Sequence, residues 1–247
     1  SETSLRPSAG ERSLSMHFPW KGHLIRGMRL PASDVVHHVD EYVERDRFYG
    51  TWQLVQLVQR AAEHVAREHP GAKLSLGELS GPSGGRIVGH HSHRNGRDVD
   101  LAFYTRDAEG SPTYARTFVK MGRSGKGHQA GVAHHFDDAR NWTLLSKLIS
   151  YDDARVQYVF VSKPVQKRLL AEAKRVGAPS WLIDRARILM IEPAVGNDHA
   201  SHFHVRIYCP RDDRPRCRDR GPFYAWYDGE PPSGQYAAFG RGLPLSP

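Results

Sequence analysis

The sequence predicts an α+β fold in which a mostly antiparallel central sheet is flanked by helices. Two observations lead there. Segments with apolar residues at helical spacing occur alongside segments that alternate apolar and polar residues, so both element types are required. They do not follow one another in regular strand–helix–strand order, which argues against a doubly wound parallel sheet. The chain has 247 residues, enough for one domain with a substantial core, and neither an internal repeat nor a clear linker divides it.

Taken in order, residues 1–15 are polar and Ser-rich and read as disordered. Residues 16–33 mix aromatics with Gly and Pro and are expected to wrap the surface of the main body. The chain is accordingly divided into an N-terminal extension over 1–46, partly disordered, and a main domain over 47–247. His37 and His38 read as part of a polar helix. The first strong helix starts near Thr51, a good N-cap, carries Leu54, Val58, Ala61 and Val65 on one face, and ends at Pro70. A second starts at Asp137 or Asp138, with Trp142, Leu145 and Leu148 on one face. A third follows Ser162, with Pro164 in its first turn and Gly177 beyond its end. A fourth, short one covers Ser180 to Leu189. Three strands lie between them. In DVDLAFY (98–104), Val99, Leu101 and Phe103 point one way and Asp98, Asp100 and Ala102 the other. QYVFVS (157–162) is a run of strand formers. In FHVRIYC (203–209), Phe203, Val205 and Ile207 share one face, and His202, His204 and Arg206 share the opposite one.

Composition narrows the function. Hydrophobic residues make up 39% of the chain, and no run approaches the roughly 18 apolar residues of a membrane helix. The net charge of +8 suits an anionic partner or a basic surface: nucleic acid, anionic lipid or a polyanionic wall polymer. No dense Lys/Arg block with interleaved aromatics marks a nucleic-acid interface; the nearest, RDDRPRCRDR (211–220), is diluted by aspartates. The two cysteines, Cys209 and Cys217, fit one local disulfide in an oxidising compartment, with two free thiols as the other reading. Their spacing is wider than that of zinc knuckles. No signal peptide is visible, and a removed leader is presumed.

Chemistry concentrates in HHSHRNGRDVD (90–100) and in the strand after His202. Asp100 sits on the polar face of one strand, seven residues after His93. His202 and His204, two apart on another strand, aim both imidazoles the same way. If the strands share a sheet, these faces converge into a set of imidazole and carboxylate ligands. Such a set suits zinc, whose catalytic sites use three protein ligands and a water. Histidines on the surface are the bland alternative, and the chain has 15; His134 and His135 read as neighbours of a loop. HVAREH (64–69) resembles a zinc helix only superficially, since rings five apart splay by roughly 140° on a helix. HExxH is absent. Spacing alone leaves open which of His202 and His204 binds metal.

These residues resemble the lysostaphin, D-Ala-D-Ala metallopeptidase and Hedgehog group, and more closely one branch of it, the penicillin-insensitive murein endopeptidases. GGRIVGHHSHRNGRDVDLAFY (84–104) is similar to that family's Gly-Gly, His-x-Ser-His and Asp-Val-Asp block. FDDARNWTLL (136–145) resembles its Arg-Asn-Trp segment, HASHFHVRIYCP (199–210) its His-x-x-His-x-His-Val-Arg block, and RFYGTWQLV (47–55) its Tyr-Gly opening of the first helix. The blocks stand in family order.

The resemblance implies zinc ligands at His93, Asp100 and His204, with His202 as a catalytic imidazole. His199 matches a further active-site histidine and is grouped with His202. His90, Arg140, Trp142 and Arg206 are candidates for substrate binding, as is Lys163. For each cation the competing reading is structural ion pairing, and for Trp142 it is a place in the core. The implied substrate is peptidoglycan, cut at the amide between D-alanine and diaminopimelate in cross-linked stem peptides, by a periplasmic or secreted enzyme. Two other classes compete. A basic metal-dependent nuclease predicts magnesium or calcium dependence and salt-sensitive DNA binding, although so few carboxylates suit magnesium poorly. A wall-binding module with a vestigial site predicts no turnover. Nucleic acid is therefore not the expected partner.

Overall fold

The computed structural model describes residues 11–114, 116–151, 154–193 and 199–227. A six-stranded sheet runs through its centre, built from β1 (Val36–His38), β2 (Leu74–Leu76), β3 (Asp98–Ala102), β4 (Val156–Phe160), β5 (Met190–Ile191) and β6 (His202–Ile207). The spatial order is β5-β4-β6-β3-β2-β1. The three inner pairings are antiparallel and the two outer ones parallel. With four helices beside it, α1 (Trp52–Glu68), α2 (Asp138–Ser150), α3 (Lys163–Arg175) and α4 (Ser180–Leu189), the architecture is α+β with a mostly antiparallel sheet, as the sequence indicates.

Two of the helices begin at side-chain caps. The Thr51 hydroxyl accepts the N–H of Leu54, and the Asp137 carboxylate accepts that of Arg140, each satisfying a donor left orphaned at the first turn. Pro164 stands in the first turn of α3, where it has no N–H to lose. One face of the sheet is apolar. Val99 and Leu101 of β3, Phe203 and Val205 of β6 and Val159 of β4 are buried in one core with Leu54 and Val58 of α1, Leu145 and Leu148 of α2, and Leu169 of α3.

The opposite face carries the polar residues in two rows. His204 of β6 is registered against Asp100 of β3 and Phe160 of β4. One row along, Arg206 is registered against Asp98 and Tyr158. This face is not open to water: every residue of β3 is buried, because loops fold over it.

Several short elements differ from expectation. Val36–His38 is a strand parallel to β2 and not a polar helix; His38 is buried, with its Nε2 2.9 Å from the Leu30 carbonyl oxygen. His134 and His135 lie on a strand, Val132–Phe136, which pairs with Lys126–Gln129 and with Thr105–Arg106. Within the segment expected to be disordered, Leu14–Met16 pairs with His23–Ile25; residues 1–10 lie outside the described residues. Leu24 and Leu30 are buried, so the segment before residue 47 is pinned to the body it was expected to wrap.

Cys209 and Cys217 form a disulfide, with Cα atoms 5.7 Å apart. It closes a loop just after β6. Asp219 secures the same end, accepting from Arg97, Arg214 and the N–H of Cys209.

Candidate metal centre and active site

Asp100 is the focus of the site. Its carboxylate is almost fully buried, and four imidazoles turn a nitrogen toward it. His93 Nε2 and His204 Nδ1 each lie 3.4 Å from Oδ1, His202 Nε2 lies 3.6 Å from Oδ1, and His90 Nδ1 lies 3.7 Å from Oδ2. Two of these rings come from β6, opposite β3. The other two come from the loop before β3, where His93 holds a left-handed backbone, with φ of 63°, uncommon for a residue other than glycine.

In three of the rings the second nitrogen meets a carbonyl or carboxylate oxygen. His93 Nδ1 is 2.8 Å from the Leu79 carbonyl oxygen. That oxygen only accepts, so Nδ1 carries the proton and the Nε2 lone pair of the neutral ring faces Asp100. His204 Nε2 donates to Asp98 Oδ1 at 2.8 Å, which leaves Nδ1 for Asp100. His90 Nε2 donates to Glu78 Oε2 at 2.9 Å, and Arg45 pairs with the other oxygen of Glu78. Asp98 also accepts from Arg206 Nε at 2.7 Å and from the His93 backbone N–H at 3.3 Å. A carboxylate behind an imidazole that fixes its tautomer and direction is the usual support of a metal-binding histidine.

His93 Nε2 and Asp100 Oδ1 are buried, face one another, and make no hydrogen bond. Lone pairs so placed require a proton or a cation between them. A tetrahedral centre with bonds of about 2.0–2.2 Å spaces its ligand atoms roughly 3.3–3.6 Å apart, and the His93–Asp100 and His204–Asp100 spacings fall in that range. His90, His93 and Asp100 also form a group able to hold a metal, with ligand atoms within 4.8 Å of one another. The donor set thus fits a cation, with His90 and His204 as rival third ligands.

Burial disfavours charge on the His93, His202 and His204 rings. At His93 the charges of Asp100 and Asp98 outweigh it, and the pKa is pushed up to about 9. At His202 burial prevails and lowers it to about 4; His204 is lowered for the same reason. Burial opposes ionisation of Asp98 and Asp100 too, but Arg206 and His204 hold the first, and the surrounding histidines the second, well below the usual carboxylate range.

His202 stacks on Phe118, with centroids 4.5 Å apart, and its Nδ1 is 3.0 Å from the Ser201 hydroxyl. The His199 ring lies 5.1 Å from that of His202 and 5.6 Å from that of His204. Gly77 permits the close approach of Phe118: a Cβ there would stand 2.4 Å from the Phe118 ring and 3.1 Å from Asp100 Cβ.

The remaining candidates divide. Arg206 is committed to Asp98 and thereby supports His204. Arg140 is buried and pairs with Asp137 at 3.5 Å. Trp142 is buried in the core, as the apolar face of its helix implies. Neither is brought to the imidazole cluster. Lys163 is exposed and lies 3.7 Å from Glu192. Sequence reasoning missed Glu78, Phe118 and Phe160. The Phe160 ring stands edge-on to His204 at 5.2 Å. The alternation of 157–162 could have placed Phe160 on a polar face, but only the register sets it beside His204.

A family model described as penicillin-insensitive murein endopeptidase matches residues 17–229. The chain belongs to this family. The matched span takes in the whole sheet, the imidazole cluster and the disulfide. The penicillin-insensitive murein endopeptidase of Haemophilus influenzae is 29% identical over 227 residues, covering 85% of this chain and 71% of the relative. Those of Klebsiella pneumoniae and Salmonella heidelberg are 27% and 26% identical over 207 and 209 residues, each covering 81% of this chain and 68% and 69% of the relatives. In this member of the murein endopeptidase family, the histidine blocks hold the buried polar residues His93, Asp98, Asp100 and His204.

Proposed function

We propose that this chain is a zinc-dependent murein endopeptidase that hydrolyses the D-alanyl–diaminopimelate cross-links between peptidoglycan stem peptides. The observation that carries the reading is the buried, unbonded pair of His93 Nε2 and Asp100 Oδ1, with His204 Nδ1 at the same spacing. His93, Asp100 and His204 would hold the metal. His90 is the weaker choice, because its ring is more exposed and its nitrogen faces the other oxygen of Asp100. Bound zinc would supply Lewis acidity and lower the pKa of a water to about 7. Asp98 orients His204, and the Leu79 carbonyl orients His93. His202, buried beside the ligands with its Nδ1 against the Ser201 hydroxyl and its ring on Phe118, is a neutral imidazole placed to take a proton from the attacking water and pass it to the leaving amine, or to stabilise the oxyanion. His199 lies close enough to assist it.

The disulfide agrees with a periplasmic or secreted protein. No helix among the described residues is long and apolar enough to cross a membrane. Digestion of purified cross-linked muropeptides, with fragments identified by mass spectrometry and metal content measured in parallel, tests the proposal. Cleavage at the D-alanyl–diaminopimelate bond that is lost on chelation and restored by zinc is expected. Intact cross-links with a zinc-loaded protein would refute the activity, and magnesium-dependent DNA cleavage would favour the nuclease.

A further inference from the structure

The sheet face that bears the imidazole cluster continues past it. The register that sets Phe160 beside His204 sets Tyr158 beside Arg206. The two rings stack with centroids 5.0 Å apart, and both are partly exposed. From the N-terminal segment, Phe18 and Trp20 stack on each other at 5.0 Å, with planes 10° apart. Two guanidinium groups tie these layers together. That of Arg206 lies 5.7 Å from the centre of Phe160 and 6.0 Å from that of Trp20. That of Arg220 lies 5.3 Å from Trp20 and 5.5 Å from Phe18. An aromatic shelf thus leads from His204 through Phe160 and Trp20 to Arg220.

The two cations are not equivalent. Arg206 is buried and neutralised by Asp98. Arg220 is exposed, makes no ion pair with a carboxylate among the described residues, and is held only over aromatic faces. A guanidinium held this way keeps its planar fork of donors for a ligand and loses less freedom when it binds. Its complement is a carboxylate, taken in bidentate fashion, whose neighbouring carbon skeleton lies along the rings.

We propose that the shelf is a carboxylate-binding subsite, with Arg220 as anchor and Trp20 as platform, for the peptide arm of the substrate that leaves the metal centre past Phe160. The proposal rests on the murein endopeptidase reading, in which the stem peptides bear free carboxylates.

Isothermal titration of a soluble disaccharide tetrapeptide, as the free acid and with its carboxyls amidated, tests it without requiring turnover. The wild-type protein binds the free acid more tightly. Arg220→Gln weakens free-acid binding about 5- to 10-fold and leaves the amidated form within twofold, because only the charge-assisted contact is lost. Trp20→Ala weakens both forms, with circular dichroism confirming the fold and Trp20→Phe in its place should the truncation unfold. An unchanged preference for the free acid in Arg220→Gln, equal weakening of both forms, or no binding of either form by the wild type overturns the subsite. Failure of the wild type to cleave cross-links while it keeps an Arg220-dependent preference would overturn the endopeptidase reading alone.

Discussion

Asp98→Asn isolates the support of the proposed metal centre from its proposed ligands. The carboxylate is fully buried and makes three contacts: His204 Nε2 at 2.8 Å and Arg206 Nε at 2.7 Å share Oδ1, and the His93 N–H reaches Oδ2 at 3.3 Å. An amide of the same shape cannot satisfy all three. With its oxygen toward His204 and Arg206, its NH2 confronts the N–H of His93; flipped, it confronts two donors. In both orientations Arg206 loses its buried counter-charge. Removing one partner of a buried pair costs roughly 3–5 kcal/mol. The amide keeps up to two of the hydrogen bonds, so the expected loss is about 2–4 kcal/mol. The second effect is on metal binding: a histidine ligand deprived of its carboxylate support typically loses 10- to 100-fold in affinity. Urea unfolding measures the first quantity, and competition with a chromophoric chelator measures the second, on wild type and variant side by side. A variant that unfolds earlier yet binds zinc within twofold of wild type would show that His204 is not oriented by Asp98. A variant unchanged in both would remove Asp98 from the site.

His204→Ala should lose zinc and cleavage together. His90→Ala should keep most of its zinc, and the reverse metal contents would exchange the two ligands. His202→Ala should hold zinc near wild-type occupancy while cleavage falls about 10²- to 10⁴-fold; unchanged turnover would exclude it from the reaction. Replacing both Cys209 and Cys217 by Ala releases a loop closed over a separation of eight residues and should cost roughly 2–3 kcal/mol in urea unfolding, with an unaltered midpoint counting against the disulfide's role. Asp213 is buried under the N-terminal segment, and burial raises its pKa to about 6 against the pull of the Ser15 N–H. A carboxyl whose folded pKa is raised contributes stability that is complete below about pH 4 and lost as pH rises through 6. Asp213→Asn should therefore match wild type near pH 4 and exceed it by about 1–3 kcal/mol at pH 7, and a gap that shrinks toward pH 7 would contradict this.

The helices and the two strands of the site were legible because each is long enough to show a period. α1 has 17 residues, and β3 and β6 have five and six. β1, β2 and β5 have two or three residues, too few for alternation to register, and their place is set by pairing. His37 and His38 illustrate the consequence: side chains without a pattern took a helical reading where a parallel partner made a strand. In the site, the ligand types and spacings of His93, Asp100, His202 and His204 were visible along the chain. Glu78 was not, because its partners Arg45 and His90 meet only when three loops close on one another. Arg206 was visible as a cation on the correct face, but its commitment to Asp98 needed the strand register.

That register is the structural fact on which the site depends. A slip of one residue between β3 and β6 would turn Asp98 and Asp100 into the core and present Val99 and Leu101 to the imidazoles. A slip of two keeps the faces but misaligns the rows, so that the carboxylates stand opposite the wrong partners. In one such slip Asp98 meets His204, Asp100 meets His202, and Arg206 is left buried with no carboxylate opposite it. In the other, Asp100 meets Arg206, and His204 faces Ala102. The observed pairing alone satisfies both rows, with Arg206 against Asp98 and His204 against Asp100. An unpaired buried guanidinium costs several kcal/mol, so the Arg206–Asp98 row penalises the first of these two slips, and the second leaves His204 with no carboxylate opposite it. The pair that orients His204 also selects the alignment in which His204 and Asp100 stand opposite each other.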